Sequence, residues 1–194
     1  MSESLLSLVD KKASLPDISA HLDALPNAER IAQMRVMGHR DQERLWELAK
    51  GQAPIDLNAF VDATEQTIIY EGKNTVPVFS FFQKRFWRPS SGEIVGYNHN
   101  GGFITALTGP GYFVTVGAED GEILFDYTKT PNLQPPGWPI NNSRILTSAV
   151  FSGMKDYCRY VAKGVVIGAA FKGGKSRNQY FMLTRAEGAS PSAQ

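Results

Sequence analysis

Two apolar runs near the C-terminal end constrain the fold of this chain more than any other feature. Val165–Phe171 and Tyr180–Leu183 are apolar at consecutive positions and do not alternate with polar residues. A half-exposed strand alternates, whereas a strand that is apolar on both faces is covered on both faces. We therefore expect one face of these strands to line the interior of a curved sheet and the other face to receive helices.

The first third of the chain has the pattern of helices that would cover such strands. Between residues 27 and 50, apolar residues recur at helical spacing and polar residues fill the remaining positions. The apolar positions are Ile31, Met34, Met37, Leu45 and Leu48. This pattern predicts an amphipathic helix that is capped by Asn27, kinked at Gly38 and ended by Gly51. Shorter helices are predicted over Asp17–Leu25 and Asp56–Val61.

The remainder of the chain has β-type patterning from Thr67 onward. Asn100-Gly101, Asp120-Gly121 and Gly173-Gly174 separate strand-like runs, and such pairs adopt the positive φ that tight hairpins need. The predicted strands are 67–70, 93–99, 103–107, 112–116, 122–128, 165–171 and 179–185. The aromatic stretch Val76–Trp87 is ambiguous, and here we expect a helix over Val78–Phe86.

Together these elements predict an α+β fold, with a helical N-terminal third packed on an antiparallel, strongly curved sheet or barrel of about seven strands. A flatter sheet with helices on one face is the alternative. We expect a single domain over 1–187, with a helical subregion at 1–66, a mainly β-barrel-like part at 67–187, and a disordered tail at 188–194. The proline-rich stretch 129–142 is expected to cover the barrel mouth.

Composition narrows the classes of partner. The formal net charge is +1, with 7 basic and 11 acidic residues in 1–66 against 13 and 8 in 67–194, so the two parts attract each other. This near-neutral balance argues against a nucleic-acid partner. No apolar run is long enough to span a bilayer. Cys158 is the only cysteine, which excludes an intrachain disulfide, and the expected location is cytoplasmic.

Residues with suitable chemistry concentrate in the β part. His99 and Asp126 are the candidate catalytic residues, because imidazole and carboxylate groups can move protons, although alternation favours the outer face for Asp126. The candidate ligand-binding residues combine aromatic bodies with polar tips or cations. They are Lys84, Arg85, Tyr97, His99, Tyr112, Tyr127 and Trp138. The histidine and cysteine spacing matches no metal motif, and the sequence assigns no cofactor.

These features favour a binding function over catalysis. The preferred hypothesis is that a small, largely apolar or aromatic molecule binds inside the curved sheet, in an architecture analogous to lipocalin-like and fatty-acid-binding barrels. The alternative is a cofactor-independent isomerase, cyclase or lyase that uses the same cavity. A haem protein with His99 as the proximal ligand is a further alternative. The last hypothesis is an interaction module that forms a homodimer through a sheet edge or helix face.

Overall fold

The structure is a computed structural model, and it describes residues 3–76, 80–99, 109–129, 131–139 and 151–187. Its central feature is a closed barrel in which eight strands follow one another around the wall in chain order, each antiparallel to its neighbours. The strands are β1 Thr67–Asn74, β2 Phe81–Trp87, β3 Ile94–His99, β4 Tyr112–Gly117, β5 Ile123–Asp126, β6 Met154–Ala162, β7 Val165–Lys172 and β8 Lys175–Arg185. The predicted α+β fold with a barrel is therefore confirmed.

The N-terminal region is helical, as predicted. The α-helices of the described residues are α1 Leu5–Asp10, α2 Leu15–Asp23, α3 Asn27–Arg35, α4 His39–Leu48 and α5 Leu57–Phe60. The single helix predicted beyond residue 27 is two helices, because Gly38 starts α4 in an extended conformation and its N–H donates to Asp41. Asn27 is not a cap; its side-chain amide donates to the carbonyl of Arg185 at 2.7 Å and ties α3 to the end of β8.

Both faces of β7 and β8 are covered, as their apolar pattern predicts. Outward-facing side chains from these strands share one core with α1–α4. They are Val165, Ile167, Ala169, Tyr180 and Met182. The inward-facing Val166, Phe181 and Leu183 belong instead to the core inside the barrel. Strand alternation thus divides two consecutive apolar runs between two separate cores.

The helix predicted over Val78–Phe86 is wrong, because residues 81–87 form strand β2. This strand pairs with β1 on one side and β3 on the other. Phe82, Lys84 and Phe86 face inward, whereas the alternating Gln83, Arg85 and Trp87 face outward. Both faces carry aromatic rings, so the sequence lacks the alternation of apolar and polar residues that marks a strand. The segment is a strand because it pairs with β1 and β3 in the barrel.

The predicted hairpins at Asp120-Gly121 and Gly173-Gly174 are confirmed. Asp120 and Gly121 have positive φ between β4 and β5, and Gly173 and Gly174 have positive φ in a two-residue turn between β7 and β8. The Asn100-Gly101 hairpin with its strand 103–107, and the predicted tail 188–194, lie outside the described residues. Strand β6 was not predicted.

One end of the barrel is closed by α5. The Phe60 ring stacks on Tyr70 with ring centroids 4.5 Å apart and packs edge-on against Phe86 at 5.1 Å. The hydroxyl of Tyr70 donates to the carbonyl of Phe60 at 2.9 Å, and Arg88 donates to the carbonyls of Leu57 and Val61. The apolar half of the interior therefore lies next to α5.

Among the described residues, no helix has the length and apolar character needed to cross a membrane.

Candidate functional site

Four polar side chains meet inside the barrel. We call Lys84, Asn98, Tyr127 and Asp156 the interior polar cluster. All four face inward on or directly after their strands, and Lys84 is only 2% exposed. By strand direction they occupy the half of the barrel away from α5, because Asn98 is near the end of β3, Tyr127 follows β5 and Asp156 is near the start of β6.

Strand register brings these residues together. Lys84 on β2 is the direct cross-strand partner of Asn98 on β3. Asp156 on β6 is opposite Phe125 on β5, one inward position before Tyr127. Because inward positions recur every second residue, the four side chains converge from different parts of the closed wall on one point.

The Lys84 ammonium uses all three of its hydrogen-bond donors inside the cluster. Its Nζ donates to Asn98 Oδ1 at 2.8 Å, to Tyr127 Oη at 2.5 Å and to Asp156 Oδ2 at 3.2 Å. Tyr127 in turn donates to Asp156 Oδ2 at 3.0 Å, and Asn98 Nδ2 donates to Tyr127 Oη at 3.1 Å. The result is a fully buried ion pair bridged by a phenol and an amide.

Aromatic rings surround the ammonium. Five ring centroids lie between 4.8 and 5.7 Å from Lys84 Nζ. These rings are Phe82, Phe113, Phe125, Tyr127 and Phe181. The faces of such rings carry negative potential, so they favour a positive charge in a region that excludes water. The site therefore combines an apolar wall with a small polar centre.

Three of these rings lie over inward-facing glycines on neighbouring strands. Gly72 is paired with Phe82, Gly96 with Phe113 and Gly168 with Phe181. A Cβ built on any of the three glycines would lie within 2.6 Å of its partner ring. The missing side chains thus give the phenylalanine rings room to lie across the barrel wall beside the lysine.

Burial acts on the pKa of each titratable group in the cluster. Desolvation lowers the pKa of Lys84, and the nearby Asp156 carboxylate partly offsets this effect. Desolvation raises the pKa of Asp156, and Lys84 opposes that change. Burial together with Asp156 raises the pKa of Tyr127 well above its ordinary value, so this phenol stays protonated and donates. Transfer of a proton from Lys84 to Asp156 therefore costs less free energy in this cluster than it would in water.

The structure divides the residues that the sequence singled out for ligand binding. Lys84 and Tyr127 belong to the interior polar cluster. The other five lie on the outer face of β2–β4 or in the proline-rich stretch, and they are Arg85, Tyr97, His99, Tyr112 and Trp138. Trp138 packs on Tyr97 with ring centroids 4.7 Å apart, so this residue of the stretch lies against the outer wall of the barrel. We call Tyr97, Tyr112 and Trp138 the outer aromatic patch.

The candidate catalytic residues His99 and Asp126 both face outward. His99 Nδ1 lies 3.5 Å from the Tyr97 hydroxyl, and burial with Arg85 alongside lowers the pKa of His99. Asp126 accepts hydrogen bonds from the backbone N–H and hydroxyl of Thr128, and its other oxygen is 3.9 Å from Lys155 Nζ. These contacts place each residue away from the interior polar cluster, as alternation favoured for Asp126.

Sequence reasoning missed Asn98 and Asp156. Asn98 precedes His99 and a predicted turn, so it was not distinguished from an ordinary turn residue. Asp156 stands in an unpredicted strand where Asp156, Cys158 and Tyr160 alternate with Tyr157 and Arg159. That alternation mixes polar and apolar residues on both faces, and it therefore gives no signal of which face is buried.

One of the hydrogen bonds that hold the outer aromatic patch in place can be tested by substitution. Trp138 Nε1 donates to Thr67 Oγ1 at 3.1 Å, and Trp138 is 7% exposed. Thr67→Val keeps the side-chain shape but removes the acceptor, and we expect it to lower the free energy of unfolding by about 1 kcal/mol. Urea denaturation followed by tryptophan fluorescence measures this change. Thr67→Ser retains the acceptor and is the matched control, and equal losses in both variants would contradict the prediction.

The described residues define a class of protein: an eight-stranded up-and-down barrel, flanked by helices, with a buried lysine–aspartate pair in an aromatic interior. In these residues, no group of three or more histidine, cysteine, aspartate or glutamate side chains is arranged to hold a metal ion. Comparison with known proteins finds no match for the chain among family models, curated proteins or solved structures.

Proposed function

We propose that the barrel binds a small, largely apolar or aromatic molecule in its interior, and that an uncharged polar group of this ligand contacts the interior polar cluster. The observation that carries the proposal is the Lys84–Asp156 ion pair, 3.2 Å apart, inside an aromatic wall. Ligand pockets in proteins combine an apolar lining with a few convergent polar groups in this way.

The energetic cost of the ion pair supports a functional role. Removing a lysine and an aspartate from water costs several kcal/mol per ion, which their attraction repays only in part, so apolar residues of similar volume are often at least as stabilising. The neighbouring interior is filled with such residues, including Phe86, Phe113 and Leu183. A barrel interior that served stability alone would have no need of charges at this point, whereas ligand and active sites often have them.

The charge balance of the cluster favours an uncharged ligand. Lys84 and Asp156 neutralise each other, and a charged ligand would add a buried charge without a partner. A carbonyl or hydroxyl oxygen can instead accept a hydrogen bond from Lys84, Tyr127 or Asn98 in exchange for one of the bonds within the cluster. We therefore expect an apolar or aromatic carbonyl compound or alcohol.

A cofactor-independent isomerase, cyclase or lyase is the second candidate function. The observation that favours it is the convergence of three titratable groups, Lys84, Tyr127 and Asp156, on one point in a dry interior. Such an arrangement can donate a proton to a carbonyl oxygen and remove one from a neighbouring carbon. In this proposal the interior residues replace His99 and Asp126 as the groups that move protons.

The binding proposal is tested in two steps. Native mass spectrometry of the freshly purified protein, followed by organic extraction, is expected to identify an uncharged apolar molecule at one equivalent. Titration with the neutral carbonyl dye Nile red is then expected to give saturable, blue-shifted fluorescence. The double variant Lys84→Met/Asp156→Leu removes both charges, and it should weaken dye binding about tenfold, the equivalent of one hydrogen bond to a charged group.

Two control variants locate the site. Lys155→Met changes an outward-facing lysine next to Asp156 and should leave dye binding unchanged. Tyr97→Phe removes a hydroxyl from the outer aromatic patch and should also leave it unchanged. If Tyr97→Phe weakened binding and the double variant did not, the ligand would bind at the outer patch, and the proposal would be wrong. Failure to find either a co-purified molecule or dye binding would also contradict it.

A further inference from the structure

Lys84 differs from the other described lysines in its surroundings. It is the only lysine among the described residues that is buried. Its amine faces a carboxylate from β6 and a phenol that follows β5, inside a ring of aromatic side chains. The other described lysines are at least partly accessible to water.

This setting meets the chemical requirements of imine formation. The attacking amine must be uncharged, an acid must protonate the carbonyl oxygen as it leaves, and the protonated imine needs a counter-ion. Tyr127 supplies a hydroxyl that stays protonated, and Asp156 supplies a carboxylate next to the nitrogen. The aromatic rings favour a delocalised cation as they favour the ammonium.

We propose that Lys84 forms an imine with the carbonyl carbon of an apolar aldehyde or ketone that binds inside the barrel. The inference rests on the proposed function, because the same cluster receives the ligand. It goes further by assigning the ligand a carbonyl group and the lysine a covalent role. Burial, which lowers the pKa of Lys84, increases the fraction of uncharged amine available for attack.

The reaction balances without an oxidant or a reductant. Lys84 first passes a proton to Asp156, and its nitrogen lone pair then attacks the carbonyl carbon, whose oxygen takes a proton from Tyr127. The nitrogen then returns a proton to Tyr127. Protonated Asp156 gives its proton to the hydroxyl of the carbinolamine, which leaves as water while the nitrogen lone pair forms the carbon–nitrogen double bond. The imine nitrogen keeps one hydrogen and one positive charge, and Asp156, again a carboxylate, is the counter-ion; in the structure its Oδ2 lies 3.2 Å from Lys84 Nζ.

Reductive trapping tests the inference on the full chain. The protein is incubated at neutral pH with limiting trans-cinnamaldehyde or hexanal and sodium cyanoborohydride, which reduces an imine to a stable amine. We expect the intact mass to rise once, by the mass of the aldehyde less one oxygen atom. Peptide mapping should place the adduct on Lys84, with labelling at least about tenfold above that of any other lysine because its amine is desolvated.

Variants separate the role of Lys84 from general lysine reactivity. Lys84→Arg should abolish the selective adduct, whereas the matched variant Lys155→Arg on the outer face should retain it. Asp156→Asn should slow trapping, because it removes the counter-ion and the proton acceptor. If Lys84→Arg does not fold, the peptide map of the unaltered protein decides, since adducts spread evenly over exposed lysines would overturn the inference.

The two proposals fail separately. If Nile red binds and the double variant weakens its binding, but neither aldehyde is trapped on Lys84, then the barrel binds its ligand without a covalent bond and the imine inference is wrong. If dye binding, co-purified ligand and trapping are all absent, both proposals are wrong. Selective trapping on Lys84 supports both.

Discussion

Asp156→Leu is expected to lower the free energy of unfolding by about 3–5 kcal/mol, because it leaves the buried Lys84 ammonium without its carboxylate. Lys84 and Asp156 side chains are 2% and 8% exposed, so water cannot take the place of the missing partner. The phenol of Tyr127 also loses the oxygen to which it donates at 3.0 Å. Equilibrium urea denaturation, followed by far-UV circular dichroism, measures the loss.

The double variant Lys84→Met/Asp156→Leu is the decisive comparison. It removes both charges together, and we expect it to recover most of the stability that Asp156→Leu alone loses, because apolar replacements of a buried ion pair are often neutral or better. Lys155→Met, on the outer face of the same strand, removes a partly exposed ammonium 3.9 Å from Asp126 Oδ2 and should change stability by no more than about 1 kcal/mol. If the double variant lost as much free energy of unfolding as the two single substitutions together, Lys84 and Asp156 would not be a mutually dependent buried pair, and the prediction would be wrong.

The loss in Asp156→Leu should also depend on pH. Burial already lowers the pKa of Lys84 from its ordinary value of 10.5, and Asp156 is the largest influence that raises it. Without Asp156 the pKa of Lys84 in the folded state falls further below its value in the unfolded chain. The variant is therefore least stable below that lowered pKa and regains stability as the pH rises toward 10.5. Denaturation at about pH 7 and about pH 10 tests this sign.

Gly168→Ala is expected to destabilise the barrel by about 3 kcal/mol, because the new methyl group has no room. Its Cβ would lie 2.2 Å from the Phe181 ring, and both residues face inward on adjacent strands. To remove this clash, the Phe181 ring or the barrel wall would have to move. The ring has little freedom to do so, because it also packs beside Lys84. Thermal and urea denaturation measure the effect.

Gly117→Ala is the matched control for this substitution. Gly117 ends strand β4, its φ is not positive, and its nearest neighbour for a Cβ is Leu57 at 4.0 Å. It should be neutral or stabilising by up to about 1 kcal/mol, because alanine reduces the freedom of the unfolded chain. If Gly117→Ala and Gly168→Ala lowered the free energy of unfolding equally, the loss would come from general backbone effects and not from the contact with the Phe181 ring.

A second-site change tests whether the ring is the obstacle. Phe181→Leu removes the aromatic ring that lies over Gly168 and should itself destabilise the core. In the presence of Phe181→Leu, Gly168→Ala should cost markedly less than it does alone, because the methyl group then occupies space that the ring has left. If the losses of stability from Gly168→Ala and Phe181→Leu simply added, the ring of Phe181 would not be the obstacle to a side chain at position 168.

Several elements of the fold could be predicted from residues that are close together in the chain. The period-two pattern over Ile123–Tyr127 placed Ile123, Phe125 and Tyr127 on one face and Asp126 on the other, as the structure has them. The hairpin turns at 120–121 and 173–174 and the double covering of β7 and β8 were predicted in the same way. Each depends on backbone conformation or strand alternation, which are local properties.

Residue types were a weaker guide to the site. Seven residues were chosen for ligand binding, and the structure places two of them in the interior polar cluster and five on the outer wall. Lys84 and Arg85 illustrate the reason, since adjacent residues on one strand face opposite sides of the barrel. A prediction of helix for this segment gave no indication of which cation is buried.

The sequence by itself determined the class of fold, the two-sided burial of β7 and β8, and the turns, because alternation and turn chemistry act over a few residues. Only the tertiary structure decided that Lys84, Asn98, Tyr127 and Asp156 meet. Asn98, Tyr127 and Asp156 lie 14, 43 and 72 positions from Lys84 in the chain. Alternation shows that a residue faces inward, but closure of the barrel and the register of all eight strands select which inward-facing residues become neighbours.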